Sequence, residues 1–153
     1  MKKILIILLL PLLSTSQSNF NLQLLGSYQW SFFEGSDIWG WVDSNGNEFA
    51  LVGLNDGFSV VDVTNPMNLN EMFYIPDLNS TWRDIKTWGN YAYVTTEADA
   101  GLLIVDLSDM SGNTYWHKTN FTNPNGQSTE FTAAHNIYID EHGIAYIFGA
   151  SSN

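Results

Sequence analysis

A nine-residue pattern occurs twice in this chain, and this repetition restricts the fold more than any other feature. Residues 57–65 read GFSVVDVTN and return as GLLIVDLSD at residues 101–109, an offset of 44 positions. Gly opens both copies, and Asp holds the sixth position after a mainly apolar run. Self-similarity at a period of about 20–50 residues is typical of repeat architectures. We therefore predict a chain built from repeated units.

Other strand-like segments recur around this pattern. Residues 49–52, 91–94 and 144–147 each place Ala between two large apolar residues, and a turn rich in Asn, Gly and acidic residues precedes each of them. Short segments starting near residues 37, 84 and 136 predict a first strand, and residues 71–75 and 114–118 predict a fourth. Four short strands in about 45 residues are typical of a β-propeller blade. The sequence thus predicts an all-β fold with two complete four-stranded blades and a partial third, in approximate units 35–76, 82–119 and 134–153.

An immunoglobulin-like sandwich is the structural alternative, because it also has short strands at regular spacing. It does not predict the same strand signature three times, so the repetition favours the propeller. The third unit reaches residues 149–153 just where the Gly-to-Asp strand is due. On this reasoning we expect a C-terminally truncated propeller.

The N-terminus has the three parts of a signal peptide. Lys2 and Lys3 are basic, residues 4–10 are apolar, and residues 14–16 are small. A membrane anchor is the alternative, but the apolar stretch is shorter than the ~20 residues that cross a bilayer. We expect residues 1–16 to be removed and residues 17–153 to be secreted, placed on the cell surface or released into the periplasm, with no transmembrane segment.

The charge of the exported part excludes one class of partner. Residues 17–153 contain three basic residues and sixteen carboxylates, which gives a net charge of −13. This negative charge repels nucleic acid phosphates. An acidic surface provides solubility or attracts a divalent cation such as calcium. The chain has no Cys, which excludes disulfides and thiolate metal sites.

Several motifs resemble a known family. Residues 103–106 (LIVD) resemble the core of the LVIVD repeat. Four blocks are similar, in order, to the choice-of-anchor B family: residues 37–41, 51–57, 82–85 and 134–141. The resemblance implies an exported or surface-attached, β-propeller-like domain. It brings no established enzymatic activity and no cofactor.

The candidate ligand-binding residues lie where the first strand of each unit begins. In a propeller this strand is innermost, so equivalent polar residues would surround the mouth of a central channel. The alternative is structural, with each Asp or Asn capping a strand end and locking one blade to the next. The candidates are Asp37, Trp39, Arg83, Asp84, His135 and Asn136.

Metal sites and catalytic motifs find little support. His135 and His142 would lie about 23 Å apart along an extended chain, too far to share one zinc ion. Residues 43–48 outline a calcium loop but lack the distant Glu of an EF-hand, so a plain hairpin turn is the favoured interpretation. Nucleophile elbows and zinc-hydrolase motifs are absent from the sequence.

Two functions remain open. The favoured one is a binding or adhesion module for an extracellular glycan or protein. The other is an exported propeller hydrolase or lyase, with Asp37, Asp84, Arg83 and His135 as acid, base and charge stabilisers.

Overall fold

All the helices and strands that the structure describes are β-strands. The computed structural model describes residues 22–31, 34–123 and 125–151, and no helix occurs within those ranges. The predicted signal peptide lies outside them. The strands are β1 (Gly35–Val42), β2 (Glu48–Leu54), β3 (Gly57–Asp62), β4 (Asn70–Pro76), β5 (Ile85–Trp88), β6 (Tyr91–Val94), β7 (Leu102–Asp106), β8 (Tyr115–Lys118), β9 (Asn120–Thr122), β10 (Ser128–Glu130), β11 (Asn136–Ile139) and β12 (Ala145–Phe148).

Two four-stranded antiparallel sheets form the body of the fold. Strands β1 to β4 make the first unit and β5 to β8 the second, each in chain order. Strands β11 and β12 form a two-stranded sheet, the third unit. The prediction of an all-β fold with antiparallel four-stranded sheets is confirmed.

The repeated sequence pattern is also a repeated pairing pattern. Ala50 of β2 lies opposite Val61 of β3, and Ala92 of β6 lies opposite Val105 of β7. Because side chains alternate between the faces of a strand, this common register gives both units the same distribution of inward and outward residues.

The second unit is covered on both faces. Leu103 and Val105 are buried with the first unit in one apolar core. Leu102 points to the other face, where it joins Phe131 and Ile137 in a second core with the third unit. The unbroken apolar sequence of β7 follows from this double burial.

A short hairpin of β9 and β10 lies between the second and third units along the chain. It was not predicted from the sequence. It pairs Phe121 with Thr129, and its strands are largely exposed. Three residues per strand and a polar composition leave almost no periodic signal for a strand.

Candidate ligand-binding site

The first and second units are joined by three side chains from one face of β1. An oxygen of the Asp37 carboxylate accepts a hydrogen bond from the Ile85 amide at 2.8 Å. Two residues further on, the Trp39 indole donates to Thr87 Oγ1 at 3.1 Å. The Trp41 indole donates to the Gly89 carbonyl, also at 3.1 Å. Each bond spans 48 residues, so β1 is aligned with β5 in one fixed register.

The second and third units repeat this arrangement. Asp84, equivalent to Asp37, accepts a hydrogen bond from the Ile137 amide at 2.7 Å. Trp88, equivalent to Trp41, packs on the turn of the next unit so closely that a Cβ atom placed on Gly143 would lie 2.6 Å from its ring. These contacts have the geometry of the structural alternative, in which each acidic residue caps the first strand of the following unit.

Arg83 is also engaged inside the protein. Its guanidinium is fully buried and forms an ion pair with Asp77 at 2.8 Å. It also donates to the backbone carbonyls of Leu54 and Leu78, at 2.6 Å each. A planar donor group that binds three acceptors from two segments fixes the connection between β4 and β5.

Trp39 is 38% exposed and lies beside a charge. The Lys86 ammonium lies 4.5 Å from the centre of the Trp39 ring, within the range of a cation–π contact. It also forms an ion pair with Asp84 at 2.7 Å. Asn136, the last of the candidates, is exposed at the start of β11.

An exposed cluster that the sequence predicted only in part lies where the second and third units meet. The His135 imidazole Nδ1 lies 2.6 Å from a carboxylate oxygen of Glu97. The Trp82 ring stands edge-on to this imidazole, with 6.5 Å between ring centres, and is 53% exposed. We call Trp82, Glu97 and His135 the Trp82 site.

A buried hydroxyl ties together the two loops that form this site. Ser80 Oγ donates to the Trp82 carbonyl at 2.8 Å and accepts from the Glu97 amide at 3.3 Å. Ser80 therefore links the loop before β5, which carries Trp82, to the loop after β6, which carries Glu97. Of the six sequence candidates, only His135 belongs to the Trp82 site. Glu97 was missed because the repeat pattern does not mark its position.

The acidic turn between β1 and β2 is a self-contained hairpin turn. One Asp43 oxygen accepts from the amides of Asn45 and Asn47, at 2.8 and 2.9 Å, and the other accepts from the Asn47 side chain at 2.8 Å. Burial alone would raise the pKa of the Asp43 carboxyl, but the hydrogen bonds from Asn47 and Asn45 outweigh it and lower the pKa. Across the described ranges, no three His, Asp or Glu side chains gather in a way that would hold a metal ion.

Tyr74 and Asp56 form a half-buried polar contact at the end of the first unit. The Tyr74 hydroxyl donates to the Asp56 carbonyl at 2.8 Å. Burial, followed by the hydrogen bond and charge of Asp56, raises the pKa of Tyr74 to about 12. This hydroxyl keeps its proton throughout the neutral range.

Comparison with known protein families confirms the repeat prediction. Residues 45–76 and 81–115 match the LVIVD repeat. The chain contains LVIVD repeats. The first match covers β2 to β4, and the second begins before β5 and ends at the first residue of β8. Each LVIVD match thus covers three complete strands of one four-stranded sheet. Searches of curated proteins and of solved structures find no match.

A membrane-spanning helix is not found in the described part of the chain, where no helix has the length and apolarity to cross a bilayer.

Proposed function

We propose that this chain is an exported, propeller-like binding module of the choice-of-anchor B kind and that the Trp82 site binds a glycan. The observation that carries this proposal is a half-exposed indole beside a Glu–His pair at 2.6 Å. An aromatic face with a few convergent polar groups is a common arrangement for ligand recognition.

The two kinds of group in the site suit the two sides of a sugar. The Trp82 ring offers an apolar surface on which the C–H face of a pyranose stacks. Glu97 accepts hydrogen bonds from hydroxyl groups, and the imidazole of His135 can both donate and accept. A net charge of −13 outside the predicted signal peptide repels anionic sugars, so the ligand is neutral or basic.

The arrangement of the units supports the propeller. The first strands of consecutive units lie next to one another, since Asp37 binds β5 and Asp84 binds the start of β11. Each four-stranded sheet keeps its strands in chain order. A sandwich would require strands exchanged between two stacked sheets.

Export rests on the sequence of the N-terminus. Lys2 and Lys3 followed by an apolar run and small residues are the parts that a secretory signal requires. Secretion of the full chain by cells, with the mature protein beginning near Gln17, is the expected outcome. Retention of the intact N-terminus inside the cell would contradict export.

The binding proposal is tested by screening the protein against neutral and basic oligosaccharides, with tryptophan fluorescence as the readout. Trp82→Ala is expected to weaken the best ligand by about tenfold or more, because it removes the stacking surface. The matched control is Trp116→Ala, since Trp116 is another exposed Trp but lies on β8, outside the Trp82 site. Equal loss in both variants, or no binding in the screen, would overturn the proposal.

Catalysis by the same site is the second candidate, and the Glu97–His135 pair favours it. A carboxylate hydrogen-bonded to one imidazole nitrogen fixes the tautomer and leaves the other nitrogen as a base. The side chains of Arg83 and Asp84 are 0% and 11% exposed, whereas that of His135 is 60% exposed. Turnover of glycans or phosphate esters that is lost in His135→Asn and Glu97→Gln would establish a hydrolase or lyase.

A further inference from the structure

The side chains of the Trp82 site consist mainly of groups that attract a positively charged donor. An ionised carboxylate can only accept, so the proton in the 2.6 Å contact between Glu97 and His135 lies on the imidazole Nδ1. In the neutral imidazole, the other nitrogen, Nε2, is then an acceptor. The face of the Trp82 indole carries partial negative charge and attracts cations. Among these three side chains, only the indole N–H is left to donate to a ligand.

The negative charge of Glu97 is not neutralised by a basic side chain. The two basic residues nearest to Trp82 in the sequence are paired elsewhere, Arg83 with Asp77 at 2.8 Å and Lys86 with Asp84 at 2.7 Å. Among the residues that the structure describes, Glu97 forms an ion pair with neither Lys nor Arg, and 44% of its side chain is exposed. A cationic group of a ligand therefore has an accessible carboxylate beside the imidazole.

Trp82 and Glu97 are held in a fixed relation to each other. Ser80 Oγ bonds the Trp82 carbonyl at 2.8 Å and the Glu97 amide at 3.3 Å. Both side chains also contact the His135 ring. A ligand that covers this ring reaches the indole and the carboxylate together. Because a hydrogen bond already joins the two loops, binding requires little further ordering of the site.

We propose that the ligand of the Trp82 site is an amino sugar with an unsubstituted, protonated amine and that Glu97 determines this specificity. The inference rests on the glycan binding proposed above. The ammonium group donates to a Glu97 oxygen and to His135 Nε2, and the sugar ring stacks on Trp82. N-acetylation replaces the positive charge and its three donors by one amide N–H and a carbonyl acceptor, which fits the site less well.

The test compares two trisaccharides of the same length and linkage, β-1,4-linked glucosamine and its fully N-acetylated form. Isothermal titration calorimetry with the full chain measures both dissociation constants. The glucosamine trimer is expected to bind at least about tenfold more tightly than the acetylated trimer. Since the preference is electrostatic and the site is exposed, it is expected to decrease as the salt concentration rises.

Three variants assign the preference to Glu97. Glu97→Gln is expected to weaken the glucosamine trimer by about tenfold or more and the acetylated trimer by less than about twofold. Glu97→Asp keeps the charge and is expected to retain part of the preference. Asp99→Asn is the matched control, because it removes the same charge from an exposed position in the same loop. It is expected to change either affinity by less than about twofold.

The outcomes separate this inference from the proposed function. Equal binding of the two trimers, or tighter binding of the acetylated trimer, would overturn the amine preference. The proposed function would stand in that case if Trp82→Ala still weakened both trimers. Equal weakening of the glucosamine trimer by Glu97→Gln and Asp99→Asn would show attraction to the whole acidic surface and would refute the role of Glu97. Absence of binding by both trimers would also overturn the inference, while the oligosaccharide screen decides the proposed function separately.

Discussion

The Asp84 carboxylate accepts the backbone amide of Ile137 at 2.7 Å, across 53 residues of sequence. The bond links the start of β5 to the start of β11 and is buried. Within a sheet, the Ile137 amide would donate to a backbone carbonyl of a paired strand. Here the Asp84 side chain provides the acceptor instead. The same bond, from Asp37 to Ile85, occurs one unit earlier, so the junction between units is itself repeated.

Removing this cap should destabilise the junction. Asp84→Ala is expected to lower the free energy of unfolding by about 2–3 kcal/mol, because it leaves a buried amide without an acceptor and removes a charged hydrogen bond. Urea denaturation measures the change. Asp99→Ala, which removes an exposed carboxylate in the connection before β7, is the control and is expected to change stability by less than ~0.5 kcal/mol. Equal stability of the two variants would contradict the structural role of Asp84.

Two turn glycines provide a test of the packing of Trp88. Gly46 and Gly143 have similar φ angles, 85° and 79°, and an added Cβ atom meets nothing within 4 Å at Gly46. Gly46→Ala is therefore expected to cost about 1 kcal/mol for the left-handed backbone alone. Gly143→Ala is expected to cost at least ~1 kcal/mol more, because its methyl group overlaps the Trp88 ring.

The cause of this difference is checked by a double-mutant cycle. In a Trp88→Ala background, the two Gly→Ala changes are expected to cost the same within ~0.5 kcal/mol, since the overlapping ring is gone. Thermal unfolding of the four variants gives the coupling energy. A difference that persists without the indole would show that Trp88 does not pack on the turn.

The half-buried hydroxyl of Tyr74 predicts a late step in alkaline titration. Its pKa is raised to about 12 by burial and then by Asp56. The folded-state pKa of Tyr74 is higher than the unfolded value of ~10. The stability that the protonated hydroxyl contributes is therefore fully present below about pH 10 and is lost as the pH rises toward 12. In Tyr74→Phe, the ultraviolet titration of tyrosinate is expected to lose one group near pH 12. Loss of a group that ionises near pH 10 would contradict this environment.

Asp140 predicts an acid-sensitive turn in the third unit. Its pKa is lowered, first by the hydrogen bond from the Ile144 amide, against an opposing effect of burial, and then by the His142 amide and the Tyr146 hydroxyl. Since the folded-state pKa is lower than the unfolded value, its contribution is present above about pH 4 and is lost as pH falls through the folded-state pKa. Asp140→Asn is expected to lower the melting temperature at pH ~6 and to have a smaller effect at pH ~2. An effect of the same size at both pH values would contradict this.

The sequence predicted the repeated units well because their signal is local. The run from Gly to Asp in β7 is apolar at every position between, which marks a strand buried on two faces. It predicted less about burial at the junctions, since that depends on the neighbouring unit. Ile85 and Ile137 are fully buried, whereas the equivalent Ile38 is 65% exposed, because no other unit within the described residues covers that face of β1.

The candidate site shows the same limit. The sequence marked Asp37, Asp84 and Arg83 as polar residues at strand starts, and the fold engages all three in contacts between or beside the units. A polar residue that binds a ligand and one that caps a strand have the same sequence signature. Glu97 joins His135 only through the loop geometry that Ser80 fixes, and no periodic pattern encodes that geometry.

The bond between Asp and Ile spans 48 residues at the first junction and 53 at the second. The contact is therefore preserved while the length of chain that it encloses is not. Part of the longer enclosed chain forms the exposed β9–β10 hairpin. In evolutionary terms, insertions and deletions are tolerated in such outer connections. The hairpin is therefore a suitable place for grafting foreign loops without altering the Asp–Ile contacts at the junctions.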